Sequence, residues 1–208
     1  MLHHPEPSTP LASWKDISHV PSCAASRWYV LRSSENNALT VAQQLSSIDI
    51  HAFTPLEYRA SLIGENKVWH QVPSQPDLLF VFASYDTLRS LMGHPEFESL
   101  HFVYDTEDAT KPITPSADEV DNLIRIIQAS VPQSYSVSDK EIHYRPGGLV
   151  QVTDGPFKGI IGRVARIHTQ TRVVVSIPGV ISYATTYIPS AFMKRMTAMN
   201  DERLALRD

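Results

Sequence analysis

From Arg27 onward, polar and apolar residues alternate in two rhythms. WYVLRS (28–33) is aromatic and β-branched and reads as a strand. Leu39, Ala42, Leu45 and Ile48 then recur at helical spacing behind a polar, cap-like Asn36-Asn37, which predicts a helix. HAFTPLEYRASL (51–62) is extended, with Pro55 marking an edge or a bulge. A polar turn at Gly64-Glu65-Asn66 leads to the strand KVWHQVP and to PDLLFVFAS, apolar enough for a central strand. DTLRSLMGH predicts a short helix ending near Gly93, and LHFVYDT another strand. TPSADEVDNLIRIIQAS predicts a longer helix. Ser116 and Glu119 are spaced as a capping box, and Val120, Leu123, Ile124 and Ile127 form its buried stripe.

That order predicts an α+β sandwich, with helices on a sheet of about four strands, over residues 27–130. Residues 131–145 have no strong period and lead into Pro146-Gly147-Gly148, so they read as a linker with a little extended structure. Beyond Gly148 the rhythm shortens to LVQVT, IIGRVARIH, RVVVSIP and ATTYIP, punctuated by Gly and Pro, which predicts a small all-β barrel over 146–196. Residues 1–26 hold four prolines and no periodicity and read as a flexible leader; 197–208 form a tail.

Charge sharpens this division. From Arg27 to Arg145 the chain carries a net −7, and from Pro146 to Met196 a net +5 with Asp154 the only acid. The step suggests two modules with different partners, although two solvated surfaces can differ this much by chance. With 42% hydrophobic and 19% charged residues the composition suits a soluble globular protein, and no apolar run reaches the ~20 residues of a membrane helix. MLHHPEPSTPLASWKD has no basic start followed by an apolar run, so no secretory signal is expected. The single Cys23 allows no internal disulfide and makes a reducing, cytoplasmic location the default.

The stretch VTDGPFKGIIGRVA (152–165) raises a chemical question, because glycines around a lysine can cradle phosphate. A phosphate loop needs a helix after it and a Lys-Ser/Thr pair at its exit. Here Lys158 sits inside the loop, no Ser or Thr follows, and the next segment reads as a strand; the dinucleotide fingerprint fails for the same lack of a helix. The glycines are expected to be backbone devices. Gly155 takes positive φ in the Asp154-Gly155 turn, Pro156 fixes the next φ, and Gly159 and Gly162 relieve crowding where a strand bends. Other catalytic chemistry finds little support. His3 and His4 lack further ligands at a useful spacing, and His51, His70, His94, His101, His143 and His168 are dispersed. The carboxylates Asp105, Glu107 and Asp108 could bind Mg²⁺ but read more readily as a solvated loop. No cofactor, metal or catalytic residue is expected, and the chain is not read as an enzyme.

These residues carry a resemblance. A glycine pair, a V-x-V strand, G-P-F-x-G-x-x-G-x-V, V-x-V-x-I-x-G and a Tyr-Ile-Pro exit resemble the SH3-like KOW domain of NusG-type transcription elongation factors. Upstream, RWYVLRS with its helix, FTPLEYR and PDLLFVFAS are similar to that family's N-terminal NGN domain. The resemblance covers roughly Arg27 to Met196. One departure is Gln75-Pro76-Asp77-Leu78, where the general factor usually has a Phe-Pro-Gly-Tyr-like turn. It looks more like the specialised UpxY-like paralogues of polysaccharide and capsule loci, with Asp77 keeping the turn through its tolerance of left-handed backbone.

The resemblance implies an antitermination factor that binds RNA polymerase. Its first domain would present an apolar depression to the clamp coiled coil, bridge the cleft and suppress pausing on a long operon. By position, Trp28, Tyr29, Phe53, Pro55, Leu56, Leu78 and Phe80 are the implied polymerase contacts. In a strand Trp28 and Tyr29 point to opposite faces, so at most one meets a given partner. The basic second module offers Lys158, Arg163, Arg166 and Arg172, with Phe157 expected exposed at the turn tip. Its implied partners are nascent RNA or an exposed DNA strand, a ribosomal protein or a termination factor; no membrane is implied. The competing reading is a KOW-containing RNA-binding protein of translation or ribosome assembly, which the acidic first half disfavours.

Overall fold

In the first strand, β1 (Ser26–Ser33), alternation sends Trp28 and Val30 to one face and Tyr29 and Leu31 to the other, and all four are buried. Both faces of this strand are therefore core, as its unbroken apolar run requires. The computed structural model describes residues 25–64, 66–129, 135–138, 140, 142–167 and 170–196. Almost all of the leader, with His3, His4 and Cys23, lies outside the described residues, as do Glu65, His168, parts of the linker and the tail 197–208.

The chain divides into two compact units, Met1–Ala117 and Asp118–Asp208. In the first, β1 is followed by α1 (Ala38–Ser47), β2 (His51–Phe53), β3 (Leu56–Ile63), β4 (Asn66–Pro73), β5 (Leu78–Ser84), α2 (Tyr85–Leu91) and β6 (Leu100–Phe102). β2, β5, β1 and β6 form a four-stranded antiparallel sheet in that order. β3 and β4 form a separate two-stranded ribbon, so the extended stretch expected over 51–62 is two strands in different sheets, divided at Thr54-Pro55. One face of the sheet packs Tyr29, Leu31, Leu79, Val81 and Ala83 against Ala38, Val41, Ala42 and Leu45 of α1 and Leu88 of α2. Each large aliphatic buried there contributes about 1.5–3 kcal/mol.

Two details of the helices differ from expectation. The stripe of α1 is Ala38, Val41, Ala42 and Leu45; Leu39 is half-buried and Ile48 lies past the helix at 49% exposure. Asn37 does sit at the cap position but makes no side-chain cap bond. Its amide donates to Glu35 at 2.9 Å and its carbonyl accepts from the Ser33 hydroxyl. α2 has the better cap: Ser84 Oγ accepts from the Thr87 amide at 3.1 Å.

The second unit holds almost all of α3 (Ala117–Gln128), which the sequence places in the first module. Its expected stripe Val120, Leu123, Ile124 and Ile127 is buried, joined by Ile126. After it come β7 (Tyr135–Ser136), β8 (His143–Val152), β9 (Ile161–Ile167), β10 (Gln170–Ile177), β11 (Ile181–Ala184), a 3-10 turn (Ser190–Phe192) and β12 (Met193–Arg195). They form one antiparallel six-stranded sheet, ordered β12-β8-β9-β10-β11-β7. The last expected strand, ATTYIP, lies too late: pairing runs over ISYA, and Thr185 extends it by bonding both ways with the Val173 backbone, at 3.0 and 3.1 Å. The fold class is α+β, with antiparallel sheets throughout the described residues.

The glycine stretch is a turn between β8 and β9. Gly155 (φ +82°) and Gly159 (φ +90°) both adopt left-handed backbone, which a β-carbon would strain. Gly159 N donates to Val152 O at 2.8 Å and closes the loop. Gly162 answers a different constraint. A β-carbon there would sit 2.5 Å from Val174 O and 2.6 Å from Val173 Cγ1, so the neighbouring strand can approach only a glycine. Gly162→Ala is therefore expected to cost about 1–3 kcal/mol through overpacking against immovable backbone. Gly159→Ala, which has only Arg125 Nη1 at 3.7 Å, suffers backbone strain alone, roughly 1–2 kcal/mol. Urea denaturation of the two variants checks both magnitudes and their order.

Candidate functional site

In the first unit the implied contact residues fall on two faces. Trp28, Phe53, Leu78 and Phe80 share one face by strand register. Phe53 stacks on Phe80 at 5.0 Å and meets Trp28 edge-on at 5.6 Å, and Trp28 meets Phe82 at 5.5 Å. Phe82, which the motif comparison did not single out, is half-buried. Tyr29 points the other way, 5.5 Å from Phe102 and 6.3 Å from Tyr85. Pro55 and Leu56 open the β3–β4 ribbon. All seven are buried, Leu78 and Phe80 at 0% exposure. They form an interior framework and none of them is displayed on the surface. The cause lies in the sequence itself: apolar residues at successive positions of β1 and β5 oblige both sheet faces to be covered.

The unusual turn before β5 has a physical role of its own. Arg32, opposite Leu78 across the β1–β5 pair, directs its guanidinium at the Asp77 carboxylate, and its Nη2 donates to Gln75 Oε1 at 3.1 Å. Asp77 does not have positive φ; among the described non-glycine residues only Asn36 and Asp49 do. The expected left-handed Asp77 is thus corrected. Its carboxylate, rather than its backbone tolerance, is what the turn uses, and the pair ties the Gln75–Asp77 turn to β1. No spacing rule could reveal this, since Arg32 and Asp77 are 45 residues apart.

In the second unit Lys158, Arg163 and Arg166 are exposed. Two expectations fail. Phe157 is 3% exposed, not displayed at the tip: the turn folds back through Ile160 N to Phe157 O at 3.1 Å, and the ring gains about 1.5–3 kcal/mol by burial. Arg172 is half-buried and spends its guanidinium internally, on Thr185 O at 2.7 Å and Gln170 Oε1 at 2.8 Å. Lys194 and Arg195, on the unforeseen edge strand β12, are exposed instead. Strand register places Lys194, opposite Gln151, on the same face as Arg163, opposite Leu149. No salt bridge to Lys158, Arg163, Arg166, Lys194 or Arg195 occurs among the described residues. The side chain of Asn122 on α3 also grips the end of the turn: its carbonyl accepts from Ile161 N at 2.9 Å, and its amide donates to Ile161 O.

The acidic trio is a pair of side-chain turns. Asp105 accepts from Glu107 N at 2.8 Å, and Asp108 accepts from both the amide and the hydroxyl of Thr110, which lowers its pKa. Among the described residues no group of three or more His, Cys, Asp or Glu is placed to hold a metal ion, and no helix is long and apolar enough to cross a membrane. No family model and no curated protein matches the chain.

Two outcomes follow from this geometry. Trp28→Ala and Phe80→Ala are expected to cost about 3–5 kcal/mol each. The half-exposed Asp77→Ala should cost under about 1 kcal/mol. Chemical denaturation separates these classes. Burial raises the Tyr29 pKa above 10.0, opposed by Arg27 and assisted by Tyr85 and Asp86. The folded state therefore favours the neutral phenol, its contribution is complete below pH 10, and it is lost as pH rises toward the folded value. Tyr29→Phe should flatten this alkaline decline in a melting-temperature series.

Proposed function

We propose that the chain is a NusG-type transcription elongation and antitermination factor of the specialised kind, which binds RNA polymerase and keeps it processive along a long, polysaccharide-type operon. The observation that carries the reading is the order of parts. A four-stranded antiparallel sheet with helices precedes an antiparallel β unit whose β8–β9 connection is the Gly-Pro-Phe turn, the order in which the NGN-like and KOW-like motifs occur. In this reading Trp28, Phe53, Leu78 and Phe80 are the rigid underlay of the polymerase-binding surface. Rigid support lowers the ordering cost of binding, and exposed residues around it make the contact.

The uncompensated cations support an acidic partner for the KOW-like unit. Lys158, Arg163, Arg166, Lys194 and Arg195 meet an acid-poor stretch in which only Asp154 is negative. Nascent RNA or an acidic protein face fits that charge, each phosphate contact adding salt dependence.

The reading is tested with the full chain and purified core RNA polymerase in a pausing assay on the leader of its own operon. Stable binding and increased read-through are expected; a chain that neither binds polymerase nor alters read-through defeats it. Arg163→Glu combined with Arg166→Glu should leave polymerase binding within about twofold while weakening RNA retention about tenfold or more at low salt, the difference shrinking as salt rises. Gel shifts at two salt concentrations provide the measurement.

A further inference from the structure

Three of the described tyrosines are exposed: Tyr187 at 61%, Tyr85 at 42% and Tyr104 at 41%. The last two lie in the acidic half of the chain and share one aromatic row. Tyr85 stacks on Phe102 at 5.1 Å, and Tyr104 meets Phe102 edge-on at 6.4 Å. Tyr187 differs from both. It lies in the basic stretch, and among the described residues its ring meets no other ring and its hydroxyl has no hydrogen-bond partner.

The backbone fixes Tyr187 in this setting. Two residues before it, Thr185 bonds both ways with the Val173 backbone, and Thr185 O accepts from Arg172 Nη1 at 2.7 Å. Ile188, directly after it, is buried. A ring held in water between buried Thr185 and Ile188 gains nothing for the fold. Register also gives it a cationic neighbour. Thr185 lies opposite Val173, so Tyr187 leaves the sheet at the level of Thr171, whose partner on β9 is Arg166. Two strand spacings, ~10 Å, separate Arg166 from the tyrosine, and Arg163 follows three residues along the same strand. Both arginines are exposed, and neither is in a salt bridge among the described residues.

A free ring face beside unpaired cations, in a stretch whose one acid is Asp154, calls for a ligand with flat faces and repeated negative charge. An unpaired nucleic-acid strand has both, since every base offers a π-face and every linkage a phosphate. A duplex hides its base faces and leaves Tyr187 unused. An acidic peptide answers the cations alone.

We infer that Tyr187 is a stacking platform for a base of a single-stranded nucleic acid whose phosphates are met by Arg166 and Arg163. The inference rests on the acidic-partner reading of the second unit, which it deepens, and it does not depend on polymerase binding.

The test uses the full chain and short fluorescein-labelled strands of uridine RNA and thymidine DNA, with a DNA duplex beside them, and reads binding by anisotropy at two salt concentrations. Tyr187→Ala should keep the wild-type melting temperature and weaken single-strand binding about fivefold or more. Its salt dependence should stay unchanged, because a base contact is lost while the phosphate contacts remain. Tyr187→Phe should bind as the unaltered chain does, and Arg166→Ala should lower the salt slope by about 1. The RNA and DNA arms share phosphates and base faces, and the tighter of the two names the source. Undiminished binding by Tyr187→Ala, or a duplex bound as tightly as the single strands, overturns the stacking. If Arg163→Glu with Arg166→Glu is weakened in that same series, the acidic-partner reading stands without it. Tyr187-dependent binding of poly-glutamate in place of the strands assigns the surface to acidic protein and likewise overturns the inference. Failure of the unaltered chain to bind any strand overturns it together with nascent RNA as a partner.

Discussion

The first unit is governed by the pairing of β1 with β5, residue against residue from Ser26↔Ser84 to Arg32↔Leu78. Both strands are apolar at successive positions, so neither sheet face can meet water without loss of hydrophobic stabilisation. α1 and α2 are recruited to one face by this demand. The other face gathers an aromatic cluster of Trp28, Phe53, Phe80 and Phe82. The same demand decides what these residues can do. A ring held at zero or a few per cent exposure shapes and stiffens a surface; it does not itself reach a partner.

The second unit is governed by close approach. Gly162 lets β10 come within a distance that any side chain would block, and the left-handed Gly155 and Gly159 reverse the chain just before it. Reversal carries Phe157 inward, and Asn122 of α3 satisfies both backbone groups of Ile161 where the turn becomes strand. The turn is thus packed beneath and fastened at its end. The cations Lys158, Arg163, Arg166, Lys194 and Arg195 lie outside with no salt bridge among the described residues, in a stretch whose one acid is Asp154.

The turn before β5 is anchored by charge and hydrogen bonds, with Gln75 and Asp77 holding Arg32 of β1. The half-exposed setting of the pair limits its energetic worth, so its value is positional.

Periodicity alone anticipated the three helices and most of the strands in their order, the α+β class, the stripe of α3 and the Gly-rich turn, because each depends on neighbours within a few residues. Charge counting alone located the acidic and basic halves. Tertiary structure decided the rest. It separated the β3–β4 ribbon from the sheet, placed α3 with the second unit, turned Phe157 inward, engaged Arg172 internally and brought out Lys194 and Arg195 on an edge strand. Those outcomes depend on which distant segment covers a given side chain or pairs with a given strand. Local spacing carries no information about coverage: an aromatic residue in a strand has the same periodicity whether it ends as core or as contact.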